Sequence, residues 1–148
     1  MYTNILIPTD GSELSKQSNS KAIQLAKTLK AKTTVLLVSP TFRQLMDEGF
    51  AGVAMAVSKR EWEKAVEERA REVLGAVAAE AKAAGVACVT THVYRDMPHA
   101  AIIDTAKKSA CDLIVMGSHG YGGFKQWVLG SETTRVLSQS KIPVLVYR

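Results

Sequence analysis

Leu113-Ile-Val-Met-Gly-Ser-His-Gly-Tyr-Gly-Gly-Phe-Lys-Gln-Trp-Val-Leu-Gly-Ser-Glu-Thr-Thr-Arg135 is the stretch that organises the chain. Four apolar residues, Leu113 to Met116, end at Gly117. A short run with no polar side reads as a strand buried on both faces. Gly120, Gly122 and Gly123 follow closely, and nine residues separate Gly120 from Gly130-Ser131, where a helical pattern begins. Buried strand, glycine-rich loop and helix N-terminus, in that order, suit an anion. Glycines let the backbone approach it, and the first helical N–H groups lack partners within the helix.

Working outward, Ser131 to Gln139 reads as a helix through Thr134, Val136 and Leu137, and Pro143 to Tyr147 as a final strand. Upstream, Pro98 suits the first position of a helix carrying Ala101, Ile102, Thr105 and Ala106, and Val86 to Tyr94 reads as a strand. At the N-terminus Asn4 to Pro8 is a buried strand and Thr9-Asp10-Gly11-Ser12 a turn with several capping candidates. A helix follows from Glu13, with Leu14, Ser18, Ala22, Leu25, Ala26 and Leu29 on one face; Thr33 to Val38 is the next strand. Pro40 to Ser58 lacks a clear period and is either a lid or an ordinary loop with a short helix. Arg60 to Ala84 is the longest helix, striped by Trp62, Val66, Ala70, Val73, Leu74, Val77 and Ala81, with Gly85 just past its end. Strands and helices alternate throughout. That order predicts one domain over 1–148, a doubly wound, five-stranded parallel sheet with helices on both faces.

Composition narrows the function classes. Apolar residues make up 47% and charged residues 22% of the 148, an ordinary globular balance. No apolar run reaches the ~18–20 residues of a membrane span. No basic segment followed by an apolar one opens the chain, so no signal peptide is expected and a cytoplasmic location fits. Cys88 and Cys111 sit in apolar contexts and read as reduced core residues. The net charge is +5, but basic and acidic residues interleave on the helices, which describes solvated faces rather than a nucleic-acid surface.

Known glycine motifs can be excluded by spacing. The chain has no G-x-x-x-x-G-K-[ST]. A G-x-G-x-x-G begins at Gly120 and Gly122, but its last position is Lys125. What remains is G-x-x-G, nine residues, then G-S, occupied by Gly117, Gly120, Gly130 and Ser131. His92 and His99 have no Cys, Asp or Glu at zinc-ligand spacing, and no serine has a His/Asp set or a nucleophile elbow.

This spacing, together with Pro8-Thr9-Asp10-Gly11-Ser12, Asp112 to Gly120 and the ending Ile142-Pro143-Val144-Leu145-Val146, resembles the universal stress protein family over essentially the whole chain. The resemblance implies strand order 3-2-1-4-5. It also implies the ATP-binding branch of a stress-linked family, commonly a cytoplasmic homodimer paired through the last strand, here Val144 to Tyr147. In that frame Gly117 and Gly120 admit phosphates to backbone N–H groups, and Gly130 and Ser131 present a helix N-terminus and a hydroxyl. Asp10 accepts from ribose hydroxyls or holds Mg2+ or Mn2+ with the nucleotide, alongside a capping role. Pro8, Thr9 and Val38 line the adenine pocket and Met116 adds an apolar contact. Lys125 reads either as reaching the phosphates or as a solvated lysine, and His119 either as a phosphate donor or, the better reading, as a turn residue with no catalytic duty. Glu132 stands where many ATP-binding members carry valine. Its carboxylate repels a triphosphate unless a cation bridges them or the side chain turns outward. Asp96 replaces a common glycine, and Tyr121 a basic or small residue.

The leading expectation is an ATP-binding regulatory module with an unidentified protein partner, rather than a dedicated enzyme. A weak ATPase or phosphotransferase, with Ser131, Thr133, His119 or Glu132 as candidates, and a nucleotide-free dimeric interaction protein remain as alternatives.

Overall fold

Side-chain alternation on three central strands sets the layers. In the computed structural model, which describes residues 1–48, 57–118 and 129–148, β1 is Asn4–Thr9, β2 Lys32–Ser39, β3 Cys88–Tyr94, β4 Leu113–Gly117 and β5 Val144–Tyr147. They form one parallel sheet in the order β3-β2-β1-β4-β5, as expected. Ile5, Ile7, Val35, Leu37, Leu113 and Val115 point to one face, where they pack with α1 (Glu13–Leu29) and the long helix α3 (Lys59–Ala83). Leu6, Leu36, Ile114 and Met116 point to the other, against Ile102 and Ala106 of α4 (Pro98–Lys108) and Val136 of α5 (Ser131–Gln139). The period of two thus feeds both cores from the same strands.

Helix ends follow local chemistry. The Ser12 side chain caps α1 by accepting the Ser15 N–H. Ser58 and Glu61 form a reciprocal capping box at the start of α3, an S-x-x-E signal legible at 58–61. Gly85 lies at φ +75° just beyond α3, the position where a left-handed residue ends a helix. The loop after β2 holds a short helix, α2 (Phe42–Asp47), whose cap residue Thr41 is tied by its N–H and hydroxyl to Asp96. Those bonds hold the Asp96 carboxyl below the usual aspartate range. The rest of the expected lid, 49–56, lies outside the described residues.

One expectation about α1 is corrected. Leu14 is exposed, and the first half of the helix is buried through Ser18, as expected, and through Ser15 and Asn19; Ser15 Oγ and Asn19 Nδ2 bond Thr9 Oγ1, and Ser18 Oγ donates to the Ser15 carbonyl. Both cysteines are free thiols, Cys111 buried and Cys88 half-buried. No helix among the described residues is long and apolar enough to cross a membrane.

Candidate functional site

β1 is followed by a crossover to β2 on one side of it, whereas β4 enters on the other. Between strands whose connections diverge in this way a crevice opens at the carboxyl edge of the sheet. Here the pairing shows why. β1 stays in register with β2 as far as Thr9↔Leu37, but meets β4 only at Ile5↔Leu113 and Leu6↔Ile114. Beyond Leu6 the two strands part, and Pro8, which has no N–H to donate, lies in the parted stretch.

A cavity of about 340 Å³ fills this crevice, a volume suited to a small ligand. Pro8, Thr9 and Asp10 line it from the end of β1, Val38 from β2, Met116 and Gly117 from β4, and Gly130, Ser131 and Glu132 from the start of α5. Nine of the ten residues singled out from the sequence therefore share one wall; the tenth, Gly120, lies outside the described residues, as do His119, Tyr121 and Lys125. Ser15, Leu36, Pro98, Ile102 and Thr133 complete the lining; of these only Thr133 was a site candidate from the sequence, for phosphate chemistry and not for binding. Leu36 was legible, because it lies two residues before Val38 on the same face of β2.

The β1 end is rigid. Thr9 Oγ1 accepts from Asn19 Nδ2 at 3.0 Å and from the Gly11 N–H at 3.3 Å. Its own proton goes to Ser15 Oγ, 3.1 Å away, because Ser15 Oγ itself donates to the Ser12 carbonyl at 2.9 Å. Asp10 Oδ1 accepts the Ser12 N–H at 2.9 Å, so the capping role expected of Asp10 is a local turn bond one step before the helix cap.

The β4 end is tied to α5. The Gly130 N–H donates to the Ser118 carbonyl at 2.7 Å, and Thr133 Oγ1 donates to the Gly117 carbonyl at 3.1 Å. Gly130 is the N-cap of α5 and has no side chain to cap it, so the first turn of the helix presents its end to the cavity without a side-chain cap.

Glu132 occupies that first turn. Its Oε2 accepts the His99 backbone N–H at 2.7 Å and lies 3.0 Å from His99 Nδ1, while Oε1 takes Arg135 Nη1 at 2.7 Å. Burial pushes the Glu132 carboxyl up, but the bonds from His99 and Arg135 outweigh it and hold the group below the usual glutamate range. An ionised carboxylate only accepts, so Nδ1 carries the His99 ring proton. The side chain bonds toward α4 while Glu132 still lines the cavity, so it has not turned outward from it. His92 is likewise engaged, with Nε2 2.8 Å from Ser39 Oγ, and among the described residues no group of three His, Cys, Asp or Glu is placed to hold a metal.

A larger hollow, about 550 Å³, opens near the β3 edge between α2 and α3, away from the strand parting. Its walls are mostly apolar, with Phe42, Met46 and Tyr94 prominent.

The family model of universal stress proteins matches residues 1–148. The chain belongs to the universal stress protein family. Two universal stress proteins of Methanocaldococcus jannaschii are each 32% identical to it across the whole of this chain: MJ0531, of which 83% is covered, and MJ0577, of which 96% is covered. The solved structure of MJ0577 superposes with a TM-score of 0.78 at 30% identity, over 99% of this chain and 95% of that one. A universal stress protein solved in complex with cAMP shares the fold, with a TM-score of 0.68 at 24% identity over 99% of this chain and 96% of that one. Within this universal stress protein, the Glu132–His99 contact joins residues 33 apart on two different helices, and no local spacing in the sequence marks it.

Proposed function

We propose that this universal stress protein is a regulatory module that binds an adenine nucleotide, ATP with a divalent cation among them, in the cavity between β1 and β4. The observation that carries this reading is the convergence of strand ends and one uncapped helix N-terminus on a single cavity at the parting of the sheet. Pro8, Thr9 and Val38 would flank the base, Met116 would add apolar contact, and Gly117, Gly130 and Ser131 would take the phosphates. Asp10 would meet the ribose or a hard cation shared with phosphate oxygens, a donor set of oxygen atoms that Mg2+ accepts. A fold of this kind has been solved with cAMP in another family member, which is consistent with an adenine ligand.

Hydrolysis is not part of the proposal. Glu132, the one carboxylate among the candidates for phosphate chemistry, has both oxygens engaged by donors. A phosphate-release assay comparing wild type with Glu132→Gln should give equal, background-level rates; a loss of measurable turnover in the variant would restore the enzyme reading.

We also propose a cytoplasmic homodimer paired through β5, which a protein partner reads when nucleotide is bound. Among the described residues β5 is an edge strand, hydrogen-bonded to β4 alone, with Leu145 exposed. The decisive experiment for the site is calorimetric titration with ATP, with and without Mg2+. Absence of heat at millimolar nucleotide would end the reading. A monomeric mass at high protein concentration would end the dimer.

A further inference from the structure

Asn19 breaks the rules that build α1. It lies three, four and seven residues before Ala22, Ile23 and Ala26, on the stripe of the helix that packs into the core. Asparagine is a weak helix former, and a buried amide needs partners at both of its ends. Asn19 is 1% exposed, and its Oδ1 has no hydrogen-bond partner among the described residues. A cavity of about 170 Å³, walled by Val73, Ala76 and Val77 of α3, lies beside it and leaves room for a larger apolar side chain. Leucine would serve both the helix and the core better at this position.

The other end of the amide is where Asn19 contributes. Nδ2 donates to Thr9 Oγ1 at 3.0 Å. That oxygen also accepts the Gly11 N–H at 3.3 Å and gives its own proton to Ser15 Oγ. A hydroxyl has one proton and two lone pairs, so the Thr9 oxygen is fully used and keeps nothing for a ligand. Thr9 and Ser15 line the cavity between β1 and β4, whereas Asn19 does not. Asn19 thus bonds a wall residue from behind the wall.

We infer that Asn19 is a positioning residue: through Thr9 Oγ1 it holds the β1 end of the wall in the shape that receives the nucleotide. The inference rests on the adenine-nucleotide reading above. A wall fixed before binding spares the ligand the cost of ordering it. Replacing a residue with that duty, and no packing duty, separates affinity from stability.

Calorimetric titration with ATP and Mg2+, and urea denaturation, are run on wild type, Asn19→Leu, Thr9→Val and the double variant. Asn19→Leu leaves Thr9 Oγ1 its bonds to Gly11 and Ser15, so no buried group loses its last partner. Its urea midpoint should equal or exceed that of wild type. Its affinity should fall by about three- to tenfold, the cost of ordering one side chain on binding. Thr9→Val strands the Asn19 amide and should lower the midpoint, and Asn19→Leu added to it should recover the loss. Thr9→Val should weaken binding by a similar factor, and the double variant should bind no more weakly than the weaker single one. Asn19 acts only through the oxygen that Thr9→Val has already removed. Should Asn19→Leu fail to fold, Asn19→Ala takes its place in the affinity cycle. Wild-type affinity in a folded Asn19 variant would overturn the inference, as would affinity losses that add in the double variant or an Asn19→Leu midpoint that falls in step with affinity. Absence of nucleotide binding by the wild type would remove the adenine-nucleotide reading itself, and the inference with it.

Discussion

Glu132 accepts two hydrogen bonds from one residue, His99, at 2.7 Å from its backbone N–H and 3.0 Å from its ring Nδ1. His99 is the second residue of α4, and Glu132 the second of α5. One carboxylate therefore lies against the N-termini of two helices. It replaces the cap that Met97 lacks and fixes how the two helices meet beneath the cavity.

Removing that cap should cost stability. Glu132→Ala is expected to lower the unfolding free energy by about 1–2 kcal/mol, the range for losing a helix cap and its charged hydrogen bonds. Arg135→Ala removes only a solvent-facing partner on the same helix and should cost less than about 0.5 kcal/mol. Urea denaturation of the two variants makes the comparison. Equal losses would mean that the Arg135 pair, and not the contact to α4, is what Glu132 supplies.

Acid should weaken the same contact. The folded-state pKa of Glu132 lies below the usual glutamate value of 4.5, so the unfolded chain binds its proton first. The stabilisation is complete above that unfolded value and is lost as pH falls through the folded one. Asp112 adds to the same window: burial raises its pKa, but the Asn4 N–H and the Thr3 N–H and hydroxyl lower it further, and the net shift is downward. Stability measured from about pH 5 to about pH 3 should fall, with a shallower slope in Glu132→Gln than in wild type. Parallel slopes would show that the Glu132 carboxylate does not contribute.

The strands and the glycine spacing were readable because they are local signals. Ile5 to Ile7, Val35 to Leu37 and Leu113 to Met116 are apolar on consecutive residues, and only a strand covered on both sides buries all of them. The wall residues at strand ends followed from that placement together with the motif. What stayed hidden depends on contacts between distant segments. Leu14 looked like a core position, yet a chain of hydroxyl and amide bonds from Thr9 through Ser15 and Asn19 fills that face of α1. His99 looked idle because its partner comes from another helix. Asp112 read as part of a signature, whereas its carboxylate ties the start of β4 to Thr3 and Asn4 at the start of β1.

Gly130 tests the cavity without testing the backbone. Its φ of −58° and ψ of 150° are open to any residue, so a larger side chain strains nothing locally. Gly130→Leu is expected to fold normally and to lose nucleotide binding by roughly a hundredfold, the cost of about 3 kcal/mol when a side chain fills the approach to a helix N-terminus. Calorimetry on the variant, with thermal unfolding as the control, gives the answer. Unchanged affinity in a folded variant would place the phosphates elsewhere.

Gly11 makes the opposite case, a glycine required by both backbone and space. Its φ is +77°, and a Cβ there would lie 2.7 Å from Val73 Cγ2 on α3. Gly11→Ala therefore pays twice, once for the left-handed conformation and once for pushing α3 away from the turn that carries Asp10. The expected loss is about 2–3 kcal/mol. Val73→Ala in the Gly11→Ala background removes the overlap but not the backbone strain, so it should recover part of the loss and no more. Chemical denaturation of the two single variants and the double closes the cycle. The two substitutions should couple favourably; strictly additive losses would mean that Val73 does not constrain the turn, and that backbone conformation alone explains the glycine.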